Sequence, residues 1–179
     1  MKNSAEPTTK LAPNNVIGQM EPLCCGIAGY DWAPHFTEWE RLVSEYNRLL
    51  IVASRDHAKT TFFTKLVPIV NVIKRPGCEI LLISYSDDQV VKIVSGIKDL
   101  FESKPIIKSL VPSGDESWAK TALQFRNKAR IDSLTFGSSG RGGHYDLVLV
   151  DDPIKDYGGM DPDSQEDYFK RAITPMVKP

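Results

Sequence analysis

The hydrophobic positions change rhythm several times along the chain, and each change marks an element. Phe36, Trp39, Leu42, Val43 and Tyr46 recur at helical spacing and predict an amphipathic helix ending near Asn47. Thr37 followed by Glu40 reads as its capping box. Leu49-Leu50-Ile51-Val52-Ala53 is short, unbroken and apolar, the pattern of a strand buried on both faces of a parallel sheet. A polar knot, Ser54 to Thr61, precedes a helix to about Lys74, bent at Pro68 and stopped by Pro76-Gly77. Glu79 to Ser84 is a second buried strand, and Ser86 with Gln89 caps a long helix reaching Ser103. After an irregular connection, Ala122 to Arg126 and Arg130 to Phe136 predict two strands turned over at Asn127-Lys128. A glycine-rich loop, Gly137 to Gly143, leads into a third buried strand, Asp146 to Val150, which ends in Asp151-Asp152-Pro153. Asp163, with Glu166, caps a last helix to about Ile173. Strands alternating with long helices predict a layered α/β fold with a mainly parallel sheet.

Residues 1–33 lack this rhythm. Met1 to Asn15 has almost no large apolar side chain and reads as a mobile arm, while Leu23 to Trp32 is apolar enough to pack as a loop. The domain therefore spans residues 34–179. A chain of 179 residues supports one such domain with a real core. With 41% apolar and 25% charged residues it is neither collagen-like, nor wholly disordered, nor a disulfide scaffold. Twenty-two basic residues against 23 acidic ones exclude binding through bulk positive charge, so a nucleic-acid contact requires a local patch. No apolar run approaches membrane-spanning length and no signal peptide opens the chain, so no membrane partner is expected. Cys24, Cys25 and Cys78 have neither disulfide nor metal-ligand spacing and read as reduced, buried thiols of a cytosolic protein.

The chemistry concentrates at two strand ends. An apolar strand that breaks into Ser54-Arg55-Asp56-His57-Ala58-Lys59-Thr60-Thr61 and then a helix is a phosphate-binding arrangement. The loop's N–H groups and the helix dipole would converge on an anion, Lys59 would reach the β- and γ-phosphates of a nucleotide, and the Thr60 hydroxyl would ligate Mg²⁺. Ala53 and Ala58 stand where the strict signature has glycines, so the loop either avoids left-handed backbone or stores strain. The second site is Leu147 to Asp152, four apolar residues and then two carboxylates. Asp151 would hold Mg²⁺, and Asp152 would orient and deprotonate the attacking water. Both lie at carboxyl ends of predicted strands, where α/β sheets bind ligands. A strand lies between the two motifs in sequence, and the two acids are adjacent, which suits motor-like and helicase-like ATPases.

These residues resemble a known family. Ser54 to Thr61 is similar to the variant Walker A of viral large terminase subunits, the ATPases that package double-stranded DNA into procapsids. Ile83-Ser84-Tyr85-Ser86, Trp118, Phe125-Arg126-Asn127, Gly140-Arg141-Gly142 and the Asp146 to Pro153 Walker B stretch follow in the family's order, as does Thr174 to Pro179. The resemblance covers roughly Pro34 to Pro179. It implies a three-layer P-loop NTPase of the ASCE type, with a mainly parallel central sheet flanked by helices, that hydrolyses Mg-ATP. It also implies catalytic roles for Arg55, which contacts the γ-phosphate in cis, and Arg141, offered in trans within a homo-oligomeric ring. The implied partners are double-stranded DNA, a portal protein, a small terminase subunit and a C-terminal nuclease fragment, in the host cytoplasm and transiently at the procapsid portal. These 179 residues stop ahead of the family's nuclease, so no DNA cleavage is expected of them. A helicase-like DNA translocase and a non-catalytic nucleotide-binding or assembly module with a degenerate P-loop are the competing readings. Among weaker candidates, His57 reads as a spacer, Phe36 and Trp39 as core, and Lys92, Lys98, Lys104 and Lys108 as a solvated face.

Overall fold

A computed structural model describes residues 18, 20–54, 56–114, 118–138, 143–153 and 161–178. The chain enters through one helical turn, α1 (Met20–Pro22), and a π-helical turn, Leu23–Ala28, where a loop was expected. Met20, Leu23 and Cys24 are buried in the main core, and burial pushes the Cys24 thiol up to about 11. Helix α2 (Pro34–Glu45) follows, with Pro34 in its first turn presetting the helical backbone and Ala33 ahead of it making no side-chain cap. The expected Thr37–Glu40 capping box is therefore not formed. Thr37 Oγ1 accepts from Trp32 Nε1 at 3.0 Å, and the buried Glu40 accepts from the Met20 N–H at 2.9 Å.

The polar loop leads into a wide π-helical stretch, Thr61–Leu66, continuous with α3 (Val67–Lys74). Pro68 has no N–H to give the preceding turn, and the chain winds wider there, with the Val67 N–H on the Phe62 carbonyl. The predicted bend is thus a change of winding. Beyond Gly77, at φ 76, come β1 (Glu79–Ser84) and α4 (Asp87–Ser103). Ser86 caps α4 as expected, accepting from the Gln89 N–H at 3.3 Å, and Val90, Ile93, Val94, Ile97, Leu100 and Phe101 form its buried stripe. A short turn, α5 (Pro105–Lys108), precedes the hairpin of β2 (Ala122–Gln124) and β3 (Arg130–Thr135). Its bend falls where predicted, with Lys128 at φ 68 and Asn127 Oδ1 accepting from the Ala129 N–H. After β4 (Leu147–Asp151), α6 (Pro162–Tyr168) runs on through a π-helical stretch, Phe169–Ile173, and a 3₁₀ turn, Thr174–Met176. Its cap is Asp161, which accepts from the Ser164 N–H at 3.0 Å, and not Asp163: Pro162 takes the first helical position and moves the start upstream.

The sheet order is β2-β3-β1-β4, with β1 parallel to both β3 and β4 and β2 antiparallel to β3. The sheet is mixed, its three long strands all parallel. Alternation along β1 divides two cores. Ile80 and Leu82 join Ile131, Val70, Ile97 and Phe62 on one face, while Leu81 and Ile83 meet Ile173 and Met176 on the other. Helices on both faces make three layers.

One predicted strand is absent. Leu49 to Ala53 pairs with no strand among the described residues, and Leu50 and Val52 are 88% and 89% exposed while Ile51 and Ala53 pack on the main core. Its side chains alternate as a strand's would, but a strand also needs a neighbour for its backbone hydrogen bonds. The exposed edge of β4 belongs to no other named strand; beside its start, Val177 makes an isolated parallel bridge to Tyr145. Lys178 Nζ completes this corner, 2.8 Å from Glu79 Oε2 and 3.2 Å from Asp146 Oδ2.

Candidate functional site

The polar loop and the end of β4 meet across the top of the sheet. Ala53, Ser54, Asp56, His57, Ala58, Lys59, Thr60, Thr61 and Asp152 line one cavity of about 360 Å³. The Phe62 N–H bonds the Ala58 carbonyl at 2.9 Å, which puts the helix start at Ala58. The N–H groups of the following residues then lack carbonyls one turn earlier within the helix, and this is an anion-attracting end. Two side-chain pairs close the site. Lys59 Nζ donates to Asp152 Oδ1 at 2.7 Å, and Thr60 Oγ1 donates to Asp151 Oδ2 at 3.0 Å. Residues more than ninety positions apart thus put an ammonium, a hydroxyl and two carboxylates in one place.

The loop is strained. Asp56, Ala58 and Asp152 have φ of 65, 55 and 40 degrees, and each carries a Cβ in the left-handed region. For Ala58 this costs roughly 1–2 kcal/mol, because Cβ crowds the following carbonyl. The two alternatives open at position 58 resolve in favour of stored strain, concentrated on the cavity wall. Ala58→Gly is therefore expected to raise unfolding free energy by about 1 kcal/mol, read as a higher urea midpoint at unchanged slope. A drop in the midpoint would mean that the alanine methyl packs usefully.

The loop is also propped from outside. His35 Nε2 lies 3.0 Å from the His57 carbonyl, an acceptor only, so it carries the proton; Ser54 Oγ lies 3.1 Å from His57 Nδ1. The His35 ring packs edge-on to Trp39, 4.6 Å between centroids, and Phe36 and Trp39 are buried around Phe62. The aromatic residues of α2 are core, as their spacing implied, and they fix the wall on which the loop rests. Sequence reasoning missed His35. Of the lysines read as a solvated face, Lys98 is engaged, 3.9 Å from Glu102 and donating to the Trp118 carbonyl at 3.3 Å.

Asp151 is 5% exposed, and burial holds its carboxyl above the ordinary range. The Thr60 hydrogen bond and Lys59 oppose that rise, and the neighbouring Asp152 charge adds to it. An acid whose folded pKa is raised favours folding while protonated. That contribution is present at low pH and fades as pH climbs through its unfolded and then its folded pKa. Asp151→Asn should accordingly raise the melting temperature at pH 7.5 and narrow the difference between pH 5 and pH 7.5. An unchanged profile in thermal melts would show that the buried charge carries no such cost.

Thr60 and Asp151 fit a divalent cation of the magnesium kind. Both offer hard oxygens, they already touch, and Mg²⁺ is commonly held by one or two protein oxygens with waters and substrate phosphates making up the rest. Among the described residues no group of three or more His, Cys, Asp or Glu is arranged to hold a metal by itself. A second observation agrees with the fit: the Ser84 hydroxyl, 1% exposed and in register with Asp151, has no hydrogen-bond partner among the described residues. Leaving such a hydroxyl unsatisfied costs roughly 1–3 kcal/mol. Its signal in the sequence was a serine ending an apolar strand. Arg55 and Arg141 lie outside the described residues.

The fold and site together define a three-layer α/β domain with a strained, cation-compatible loop over the carboxyl ends of parallel strands. Searched against known proteins, the sequence matches no family profile and no curated protein. Among solved structures it is similar to the crystal structure of the HK97 bacteriophage large terminase, with a TM-score of 0.66 at 13% identity. The match takes in 90% of this chain and 35% of that one, so the chain spans about a third of that terminase's length. The likeness establishes a shared fold. No helix among the described residues is long and apolar enough to cross a membrane.

Proposed function

We propose that this chain is a P-loop ATPase domain of the terminase kind, binding Mg-ATP and hydrolysing it to ADP and phosphate to drive double-stranded DNA into a procapsid. The observation that carries the reading is the pairing of Lys59 with Asp152 and of Thr60 with Asp151 at one helix start. The fold shared with a bacteriophage large terminase supports the packaging context.

In this reading the helix N-terminus and Lys59 bind the β- and γ-phosphates, and Thr60 and Asp151 hold the metal. Bound there, Mg²⁺ would neutralise phosphate charge. Asp152 accepts the proton of the attacking water. It is held close to Lys59, so the arriving phosphate competes for the ammonium and frees the carboxylate for that task. Arg55 and Arg141 would add charge stabilisation, one within the subunit and one across a homo-oligomeric ring. Double-stranded DNA, a portal protein, a small terminase subunit and a nuclease fragment complete the proposed motor, working in the host cytoplasm and at the portal.

Calorimetric titration with Mg-ATP, together with phosphate release in the presence and absence of duplex DNA, tests the proposal. Binding with turnover supports it. Binding without turnover moves the chain to the second reading, a non-catalytic nucleotide-binding module, which the left-handed Ala58 in place of glycine favours. Unwinding of a forked duplex would move it to a helicase-like translocase.

A further inference from the structure

We propose that Ser84 is a positioning residue of this site, its hydroxyl holding a water in the coordination shell of the divalent cation beside Asp151. The inference rests on the reading of Thr60 and Asp151 as the cation's protein ligands and adds a residue that neither motif contains.

Strand alternation sets the geometry. Ile80 and Leu82 face the main core, so Ser84, two further on, faces the same side at the carboxyl end of β1. Leu147 and Leu149 of β4 pack against that core too, which puts Asp151 on the same face. Ser84 is directly paired in register with Asp151 on one side and with Thr135 on the other. Three polar side chains therefore stand in a row across the top of three parallel strands. Two of them are committed: Asp151 accepts from Thr60, and the Thr135 hydroxyl donates to Asp87 Oδ1. The middle one is not.

The Ser84 hydroxyl is as buried as the core leucines around it, yet among the described residues it has no hydrogen-bond partner. Among the described residues only the Ser138 hydroxyl shares that condition. A purely structural residue here would be another Leu or Ile, continuing the apolar run from Ile80 to Ile83. A buried hydroxyl is kept where it has something polar to hold, and one of its two register partners is the carboxylate proposed for the cation, the other being the already committed Thr135. Magnesium binds with several waters retained, and those waters need oriented acceptors and donors behind them. Groups that orient a metal's ligands in this way typically change its affinity 10- to 100-fold when removed.

The test uses the full chain and titrates Mn²⁺ in the presence of ADP, with bound and free metal read by electron paramagnetic resonance. Ser84→Ala and Ser84→Val should weaken Mn²⁺ binding about tenfold. Ser84→Thr, which restores the hydroxyl, should stay near wild type. Thermal melts without metal or nucleotide separate a packing role: Ser84→Ala should melt at or above the wild-type temperature, because it deletes an unsatisfied group. Equal Mn²⁺ affinity in wild type and Ser84→Ala overturns the Ser84 assignment and leaves the cation site standing. Weakened binding in Ser84→Ala and Ser84→Thr alike, with lowered melting in both, overturns it in favour of packing. Failure of wild type to bind Mn²⁺ with ADP overturns the cation site itself, and this inference with it.

Discussion

Replacing Asp152 with asparagine is expected to lower ATP turnover by about 10²- to 10⁴-fold while Mg-ATP binds at least as tightly as to wild type. The amide keeps the size of the side chain and removes its ability to take a proton. Binding should not suffer, because the carboxylate that competes with phosphate for Lys59 is gone, and so is a negative charge next to the polyphosphate. The fold should be indifferent. Asp152 is 62% exposed along its side chain, and an ion pair so open to solvent contributes no more than about 1 kcal/mol. Calorimetric affinity and single-turnover phosphate release on the same preparation check both halves. Wild-type turnover in Asp152→Asn would remove Asp152 from the mechanism, and a large loss of affinity would give it a binding role.

Lys59→Ala should weaken Mg-ATP binding by about 10- to 100-fold, corresponding to loss of charge-assisted hydrogen bonds of about 1.5–3 kcal/mol. The exposed pair with Asp152 is worth little to the fold, so the melting temperature should move by only a degree or two. Against a polyphosphate the same ammonium faces several charged oxygens at a helix N-terminus whose own field adds to the attraction. Lys59→Arg tests shape as well as charge: a planar fork in place of a compact ammonium should recover only part of the affinity. Wild-type affinity in Lys59→Ala, measured by calorimetry, would place the nucleotide elsewhere. The strain at Ala58 is separate from these charges, whereas the pH-linked cost at Asp151 is coupled to Lys59, which lowers its carboxyl pKa, and to Asp152, which raises it, so Asp151→Asn is compared with the wild type alone.

How much of this was legible in the chain differs by element. The strand Glu79–Ser84, the helix Asp87–Ser103 with its Ser86 cap, and the hairpin bent at Asn127-Lys128 could be read directly, because local patterning and local hydrogen bonds determine them. The two ends of the site were legible for the same reason, each being a short run of residue types with a defined chemistry. Leu49–Ala53 was misread. Its pattern is that of a buried strand, but strandedness is a property of a pair, and the chain supplies it no partner among the described strands. The capping box at Thr37 failed similarly: proline set the start of α2, and both box residues were taken by partners outside that helix, Trp32 and Met20.

By itself, then, the sequence determined most of the alternation of strands and helices, the two-sided packing of the parallel strands, and the residue types of the polar loop and of the end of β4. Tertiary structure decided which of those residues meet. Lys59 found Asp152, Thr60 found Asp151, and β1 and β4 paired so that Ser84 stands beside a carboxylate far along the chain. It also decided that Ala58 takes a left-handed backbone. The physical reason is range: periodicity and capping act within a few residues, whereas register between distant strands and the strain a loop must carry are imposed by packing that no local pattern records.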